Sequence, residues 1–518
     1  MKTTIKINIW VLIFLSSLII SCKKSFIELA PQDSPSSATF FKTEEQFRQA
    51  LIAAYNALRG LMNVDFYTAE MRSDNTHYEN YAVNRGDGYV HRENIADFLD
   101  HPTNSYIANL YYACYTGIAR ANVVIDHLEG ATLDESAKRD IDGQAKFLRA
   151  FFYFKLVRYF GDVPLSLHEV TKADDAFLPR TPAAEVYQQI ISDATAAIDQ
   201  LEPPTTFPQN GLASKGAATM LLAEVYMTQH QYPEAETLLR NLTTMGYELL
   251  PDYASVFSTS NKNSKESIFE VQYQQGVTDG QQSNFIYRFL PRSTNTAIIT
   301  GVQTNNVGDG GYNNPTQDMI AAYEPGDKRL DASIGIAEGV YDASMLFTFS
   351  ANKSVVGYQA PTGKIGIPYI KKMLHPHSSA NNTDDNWPIY RYADALLLLA
   401  EALNEQGNVQ EALTYINQVR VPRTGLDALT ATGPDALREL IAHERRVELA
   451  FENHRWHDLV RTGKAIEVMT TFGAKLKQQL NYLPTDAFHV VDYRMLYPIP
   501  QAERDLNPAL TQNPGYTN

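Results

Sequence analysis

The sequence predicts a mainly α-helical fold, with a tetratricopeptide-like scaffold of helical hairpins, long irregular loop insertions and a few short strands. Three observations predict it: a helical hairpin between Trp387 and Val421, an internal echo of that hairpin, and a long segment without helical periodicity. Hydrophobic residues make up 44% of the 518 residues and charged residues 20%, which is typical of a folded globular protein.

The hairpin is WPIYRYADALLLLAEALNEQGNVQEALTYINQVRV, from Trp387 to Val421. Steps of three and four residues place its first apolar set on one helical face, made of Ile389, Tyr392, Leu396, Leu399 and Leu403. Gly407 ends the first helix, because glycine enters the left-handed conformation without Cβ strain. Asn408 can cap the second helix, with Glu411 three residues on, and Thr43 with Gln46 predicts a capping box at the start of an earlier helix. This spacing is typical of tetratricopeptide repeats, and an ordinary helical hairpin is the alternative.

An internal echo supports the repeat interpretation. LLAEVYMTQHQYPEAETLL (Leu221 to Leu239) aligns without gaps on LLAEALNEQGNVQEALTYI (Leu398 to Ile416). Repeat units of this kind bury their faces on neighbouring units, so they seldom occur singly. We therefore expect at least two such units, far apart in sequence.

Between the two units the character of the sequence changes. From Tyr253 to Asn386 no 3.6-residue period is sustained, and Ile268 to Tyr273 is predicted to be a short strand. An insertion of this length is too long for a passive connector, and binding residues usually lie on loops. We expect five regions along the chain: a signal peptide (1–21), a lipid-anchored tether (22–42), an N-terminal helical region (43–250), a loop-rich insertion that binds the ligand (251–386) and a C-terminal helical region (387–518). The last three are expected to form one interdigitated globular unit.

The N-terminus has the pattern of a bacterial lipoprotein signal. Lys2 and Lys6 precede an apolar run, Ile7 to Ile20, that is too short to span a bilayer as a helix. The run leads into Ser21 and Cys22, which resembles a lipobox, and a secretory signal with a chance cysteine is the alternative. If Cys22 is lipidated, Cys114 has no disulfide partner within the chain, and we expect it to pack as a small hydrophobe.

Several classes of chemistry find no support in the sequence. The net charge is −15 and lysine and arginine do not cluster, which argues against nucleic acid as a partner. No phosphate-binding glycine loop, G-x-S-x-G, H-E-x-x-H or C-x-x-C motif is present, so no catalytic residue and no cofactor is predicted. The turn from Asn381 to Asn386 contains Asp384 and Asp385, and a structural calcium ion or a solvated turn would each account for it.

Four motifs in order resemble those of the SusD/RagB family of outer-membrane nutrient-binding lipoproteins of Bacteroidetes. They are NWPIYRYADALLLLAEALNE (386–405), ALTYINQVRVPRTGL (412–426), ERRVELAFENHRWHDLVRTGKA (444–465) and LYPIPQAERDLNPALTQNPGY (496–516). Phe40 to Leu58 and the loop at Ser73 and Asp74 also fit. The resemblance therefore covers nearly the whole mature chain.

The resemblance implies a scaffold of four tetratricopeptide-like helix pairs and a non-catalytic protein that binds oligosaccharide. It implies a partner, a SusC-like TonB-dependent transporter that imports the ligand, and attachment to the outward face of the outer membrane by the lipid anchor alone. Lys23 and Lys24 depart from the acidic residues that often follow the lipidated cysteine of surface-exported lipoproteins. Within the third motif the resemblance implies an ion-pair lattice between helices, formed by Glu444, Arg445, Glu448 and Arg455.

Sugar recognition needs aromatic faces and planar polar groups, and two loop regions offer both. We expect the two regions to converge on one exposed face, although ordinary loop structure also accounts for each residue: Asp74, Asn75, Tyr78, Tyr81 and Tyr89 in the first, and Tyr287, Asn306, Tyr312 and Asn313 in the second. Two other classes stay open. One is a tetratricopeptide-type envelope lipoprotein that binds peptide or protein, and the other is a lipid-anchored glycoside hydrolase.

Overall fold

The computed structural model describes residues 40–81, 85–276 and 280–517. The helices are α1 (Glu44–Asp65), α2 (Asp87–Ala96), α3 (Ser105–Leu128), α4 (Glu135–Phe160), α5 (Ala173–Ala176), α6 (Ala183–Gln200), α7 (Lys215–Thr228), α8 (Tyr232–Leu242), α9 (Tyr253–Val256), α10 (Phe285–Phe289), α11 (Ala297–Thr300), α12 (Gln317–Ala322), α13 (Arg329–Ser333), α14 (Tyr392–Glu405), α15 (Val409–Thr424), α16 (Pro434–Glu448), α17 (Arg455–Arg461), α18 (Ala465–Gln479) and α19 (Gln501–Leu506). The strands are β1 (Thr76–His77), β2 (Ser267–Val271), β3 (Asn314–Pro315), β4 (Ile334–Tyr341), β5 (Phe347–Ser354), β6 (Ile365–Ile370) and β7 (Trp387–Arg391).

Four helix pairs form the scaffold, which confirms the predicted mainly α-helical, tetratricopeptide-like fold. The pairs are α1 with α3, α4 with α6, α7 with α8, and α14 with α15. Neighbouring pairs also pack on each other, through α3 against α4, α6 against α7, and α8 against α14. Each pair therefore covers the apolar face that its neighbour cannot bury alone.

The two units of the internal echo are direct neighbours in space. Helix α8 of the first unit packs on α14 of the second. Arg240 on α8 pairs with Glu411 on α15 at 2.7 Å, and the Nε2 amide of Gln406 donates to Glu236 at 2.6 Å. The chain between the two units therefore leaves the scaffold after α8 and rejoins it at α14.

The first five residues of the predicted hairpin are a strand, and the prediction that they continue the helix is wrong. Trp387 to Arg391 form β7, which pairs antiparallel with β2 in the insertion. Helix α14 begins at Tyr392, whose backbone N–H donates to the carbonyl of Glu266 at 2.8 Å. Long-range strand pairing therefore overrides the local helical pattern at Ile389.

The insertion has its own small sheet and a second apolar cluster. Strands are ordered β5-β4-β6, with antiparallel pairing on both sides of β4. One group of buried side chains lies between this sheet and the short helices α10 and α11: Ile286, Tyr287, Leu290, Ile299, Ala337, Phe347, Phe349 and Tyr369. The insertion is therefore a packed unit rather than a set of loose loops.

The polar and aromatic stretch between α1 and α3 is more regular than the sequence predicts. A single π-helical turn, Phe66–Glu70, follows α1, and residues from Asp87 to Ala96 form α2. Helix α2 has almost no amphipathic periodicity and begins in a glycine-rich segment, so pattern analysis assigns it to loop. Elsewhere local signals hold: Thr43 and Gln46 form the predicted capping box of α1.

Two predictions concern the cysteines and the N-terminus. Cys114 is fully buried on α3, which confirms its predicted packing as a small hydrophobe. The predicted signal peptide, Cys22 and most of the predicted tether lie outside the described residues. Within the described ranges, no helix has the length and apolar character needed to cross a membrane.

A buried ion-pair lattice joins the insertion to the C-terminal helices. The Arg329 guanidinium pairs with Glu444 at 2.5 Å and with Glu448 at 3.0 Å, and it also contacts Asp327. In the same segment Arg445 pairs with Asp394, on α14, at 2.7 Å. These contacts confirm the expected ion pairs of Glu444, Arg445 and Glu448, whereas Arg455 pairs with Asp74 in a loop at 2.8 Å.

We predict that Arg329→Met lowers the free energy of unfolding by about 3–5 kcal/mol, because three buried carboxylates lose their shared cation. Urea denaturation of wild type and variant measures the difference. The matched control is Arg438→Met, because the Arg438 side chain is 41% exposed and pairs with Glu405 and Asp435. That surface change should cost less than about 1 kcal/mol. Equal, small losses in both variants would contradict a structural role for the lattice.

Candidate functional site

Two loop-containing segments meet and form what we call the loop junction: residues 71–81 with 85–97, and residues 285–316. Strand β1 of the first segment pairs with β3 of the second, with Thr76 opposite Pro315 and His77 opposite Asn314. The backbone N–H of Glu79 also donates to the carbonyl of Gly311 at 2.8 Å. The two regions selected from the sequence therefore do come together, as expected.

The junction is mostly interior rather than the exposed face that the sequence analysis expects. Eight of the nine predicted ligand-binding residues are buried, each with 6% or less of its surface exposed: Asp74, Asn75, Tyr78, Tyr81, Tyr287, Asn306, Tyr312 and Asn313. Tyr89 alone among the nine is half-buried. Contact of these residues with a ligand stays a prediction, and their packing shows what each does within the fold.

Asp74 and Asn75 fasten the first segment to the C-terminal helices. The Arg455 guanidinium donates to Asp74 at 2.8 and 3.0 Å, and Arg446 pairs with the same carboxylate at 3.0 Å. Burial by itself would raise the pKa of Asp74, but the two guanidinium charges outweigh it and lower that pKa. The amide of Asn75 donates to Glu70 at 2.9 Å.

Tyrosine rings surround two buried arginines at the centre of the junction. The Arg92 guanidinium carbon lies 4.0 Å from the ring centroid of Tyr312 and 5.0 Å from that of Tyr89. The corresponding carbon of Arg292 lies 4.1 Å from the ring of Tyr81 and 4.9 Å from that of Tyr89. Tyr89 therefore bridges the two cations, and cation–π attraction holds the segments together.

The hydroxyl groups of Tyr78 and Tyr287 bond partners within the protein: Asp97, which is buried, and His377, which is half-buried. The Tyr78 hydroxyl donates to Asp97 at 2.7 Å, and the Tyr287 hydroxyl lies 2.6 Å from Nε2 of His377. Burial raises the pKa of both phenols. Both residues therefore fix the loops from within.

Asn306 and Asn313 stabilise the backbone of the second segment through side-chain hydrogen bonds. The Asn306 amide donates to the carbonyls of Tyr287 and Leu290 at 3.0 and 3.1 Å. Asn313 adopts a φ of 53°, and its amide donates to the carbonyl of Phe66 at 2.9 Å. Asparagine suits such positions because it tolerates the left-handed region and bonds the nearby backbone.

At the surface, the junction presents a small mixed patch that we call the Tyr89 rim: Tyr89, Val90, Gly308 and Asp309. Val90 is 36% exposed and the Asp309 side chain 55% exposed. The Tyr89 hydroxyl donates to the carbonyl of Gly308 at 2.8 Å, and Asp309 pairs with Arg288 and Arg92. An aromatic ring, an apolar side chain and a carboxylate are thus held at one place.

Two surface clefts, of about 670 and 560 Å³, lie elsewhere on the described part of the chain. Threonine, glutamine and asparagine side chains line much of the first, between α4, α6 and residues 202–214. None of the nine predicted residues lines either cleft. The rim is therefore a shallow feature, separate from both.

In the turn from Asn381 to Asn386, each of the last three side chains contacts a different partner, so they do not converge on one point. Asp384 pairs with Lys262 at 2.7 Å, Asp385 contacts His375, and the Asn386 amide donates to Glu270 at 2.7 Å. Among the described residues, no group of three or more histidine, cysteine, aspartate or glutamate side chains is arranged to hold a metal ion.

Stacked helix pairs that carry converging loops on one scaffold define a class of helical-repeat binding proteins. Two family models match the chain: one described as the SusD family, over residues 265–516, and one described as starch-binding associating with outer membrane, over residues 25–227. The chain belongs to the SusD family, which confirms the resemblance. The second description also associates it with carbohydrate binding and with the outer membrane.

Individual relatives agree with this assignment. SusD-like protein P38 of Formosa agariphila is 29% identical over 546 residues, with 100% of both chains covered. Starch-binding protein SusD of Bacteroides thetaiotaomicron is 24% identical, covering 77% of this chain and 76% of that one. A solved structure named a laminarin-binding SusD-like protein has a TM-score of 0.72 and 26% identity, and the match covers 92% of this chain and 100% of that one.

Beneath the rim, Glu93 on α2 should make the stability of the protein depend on pH. Burial is the largest cause that raises its pKa from 4.5 to about 7, with Asp97 adding to it and Arg85 opposing it. The folded state then holds a proton that the unfolded state releases, so the contribution of Glu93 to stability is fully present below about pH 4.5 and is lost as the pH rises to about 7. At about 1.4 kcal/mol per pKa unit, the loss reaches about 3 kcal/mol.

We predict that Glu93→Gln flattens this part of the stability curve, because glutamine keeps the shape of the side chain and cannot ionise. Thermal melting of wild type and variant between pH 4.5 and 8 measures the difference. Glu439→Gln, which removes an exposed carboxylate on α16, should leave the curve parallel to that of wild type. A Glu93→Gln curve that also stays parallel would show that Glu93 titrates normally.

Proposed function

We propose that this protein binds an oligosaccharide at the outer membrane and delivers it, without catalysis, to a SusC-like TonB-dependent transporter. The observation that carries the proposal is the convergence of two loop segments on a rigid helical scaffold in a chain of the SusD family. Two relatives support a glycan as the ligand, since one is named for starch and another for laminarin.

Contact with the glycan falls to the Tyr89 rim. Tyr89 is the one predicted contact residue with appreciable exposure, and it combines a flat apolar ring with a hydroxyl. The other eight predicted residues support the rim from within, through their hydrogen bonds and ring contacts. Because the rim is shallow, we expect weak affinity and multivalent capture of a polymer in vivo.

We predict that Tyr89→Ala lowers the affinity for the best-bound oligosaccharide about tenfold, equivalent to about 1.4 kcal/mol, because the ring contact is lost. Tyr89→Phe keeps the ring and should keep most of the affinity. Calorimetry with a panel of starch- and laminarin-derived oligosaccharides and of peptides measures both variants. Tyr226→Ala, on α7 of the scaffold and also half-buried, is the matched control.

Three outcomes count against the proposal, each against a different part. Heat of binding with peptides alone would favour the alternative, a peptide- or protein-binding tetratricopeptide-type envelope lipoprotein. Oligosaccharide binding that is unaffected by Tyr89→Ala would place the glycan elsewhere on the chain. Release of reducing sugar by the purified protein would show that it is a glycoside hydrolase.

Delivery requires the protein to stay at the membrane, and we propose lipidation of Cys22 as its anchor. We predict that Cys22→Ser abolishes incorporation of radiolabelled palmitate and moves the protein into the soluble fraction. Cys114→Ala alters the one other cysteine, which is buried on α3, and should retain the label. Full labelling of the Cys22→Ser protein would refute the anchor.

The transporter partner and outward exposure have their own tests. Co-purification of a TonB-dependent barrel with the tagged lipoprotein from intact membranes supports delivery. Digestion of the protein by protease added to whole cells supports an outward orientation, which Lys23 and Lys24 bring into question. Protection from protease in intact cells would place the protein on the periplasmic side.

A further inference from the structure

The cleft of about 560 Å³ lies between the insertion and the C-terminal end of α15. Its lining includes Tyr253, Phe257, Lys328, Lys371 and Arg423. We propose that this cleft binds a small carboxylate, and that its ligand is a sugar acid the size of one or two hexuronate rings. This goes beyond the glycan contact proposed at the Tyr89 rim, since no rim residue lines the cleft.

The first argument is an incompletely bonded arginine in the lining. The side chain of Arg423 is fully buried, and its Nη2 donates to Glu266. Its Nε and Nη1 atoms have no hydrogen-bond partner among the described residues. Buried donors without acceptors are costly, and a guanidinium never loses its proton to relieve that cost. A ligand that brings negatively charged oxygen atoms supplies the missing acceptors.

The second argument is the charge of the lining. Four cations, Lys328, Lys371, Lys372 and Arg423, face the cleft together with two anions, Asp252 and Asp331. Lys371 pairs with Asp331 at 3.0 Å, and buried Lys372 pairs with Glu452 at 2.8 Å.

Lys328 is exposed and has no ion-pair or hydrogen-bond partner for its ammonium group within the described ranges. Lys371, Lys372 and Arg423 each have a carboxylate partner, so Lys328 is the cation of the lining whose charge is free to meet a ligand. An unpaired ammonium group attracts a ligand of the opposite sign.

The third argument concerns size and shape. A volume of 560 Å³ is within the range of sites for small organic ligands and far exceeds that of one inorganic ion. The rings of Tyr253 and Phe257 meet edge to face, with centroids 5.3 Å apart, and Lys372 lies over both, so their faces are not free to stack on a sugar. The volume suits one or two pyranose rings, and Lys328 and Arg423 suit their carboxylates.

Calorimetry on the purified full chain in detergent tests the proposal with three probes: glucuronate, its neutral parent glucose, and acetate. We expect glucuronate to bind and glucose to bind at least tenfold more weakly. Lys328→Gln should lower the glucuronate affinity about fivefold, and the affinity of the variant should depend less on salt than that of wild type. Lys353→Gln removes an exposed lysine on β5 and should change nothing.

Arg423→Lys is a second variant, which should also weaken binding, but its link to Glu266 makes Lys328→Gln the decisive change. Acetate binding that depends on Lys328 supports the carboxylate site and shows that the sugar ring adds little. Equal binding of glucose and glucuronate, or equal effects of Lys328→Gln and Lys353→Gln, would overturn the proposal. Loss of glucuronate binding in Tyr89→Ala would also overturn it, because the acid would then sit at the rim.

Discussion

Glu448 lies at the centre of a buried lattice on which the rest of the structure depends. Burial by itself would raise the pKa of this carboxyl group, but the charges of Arg423, Arg391 and Arg329 lower it to about 2. Arg329 belongs to the insertion, Arg391 ends β7, and Glu448 ends α16. A lattice of this kind is stable only when complete, because each missing partner leaves an uncompensated charge away from water. It therefore fixes the relative positions of three segments that are distant in sequence.

The segment that follows Glu448 also supports the loop junction. Immediately after Glu448, the backbone N–H groups of Phe451 and Asn453 donate to Glu70 at 3.1 and 3.0 Å. Both residues have a positive φ, of 68° and 69°, a conformation that the surrounding contacts must hold in place. Glu70 directly precedes the first loop segment. The segment from Glu448 to Asn453 therefore contacts both the lattice and the start of the loop junction, and it stabilises the loops.

How much of this could be read from the sequence depends on the range of the interaction. Helix faces, the capping box at Thr43 and the echo of the hairpin are local signals, and the structure confirms them. Strand β7 carries a helical pattern, and its partner, β2, lies more than a hundred residues earlier, so no local pattern reveals the pairing. The ion-pair lattice is predicted by the family resemblance and not by the charge pattern, because alternating charges on a helix are equally typical of a solvated face.

The loop junction shows why a binding site is harder to predict than the scaffold that holds it. Tyrosine and asparagine are the residue types that contact sugars, and they are also the types that close loops upon themselves. Composition therefore selected segments that do meet, but it could not distinguish Asn313, which bonds the backbone of Phe66, from a residue free to bond a ligand. That difference depends on burial, which depends on both segments at once. Several residues of the motifs that identify the family, such as Trp387 and Glu444, are buried in the scaffold and stabilise the fold. Under the proposed function, ligand choice depends on exposed positions such as those of the Tyr89 rim.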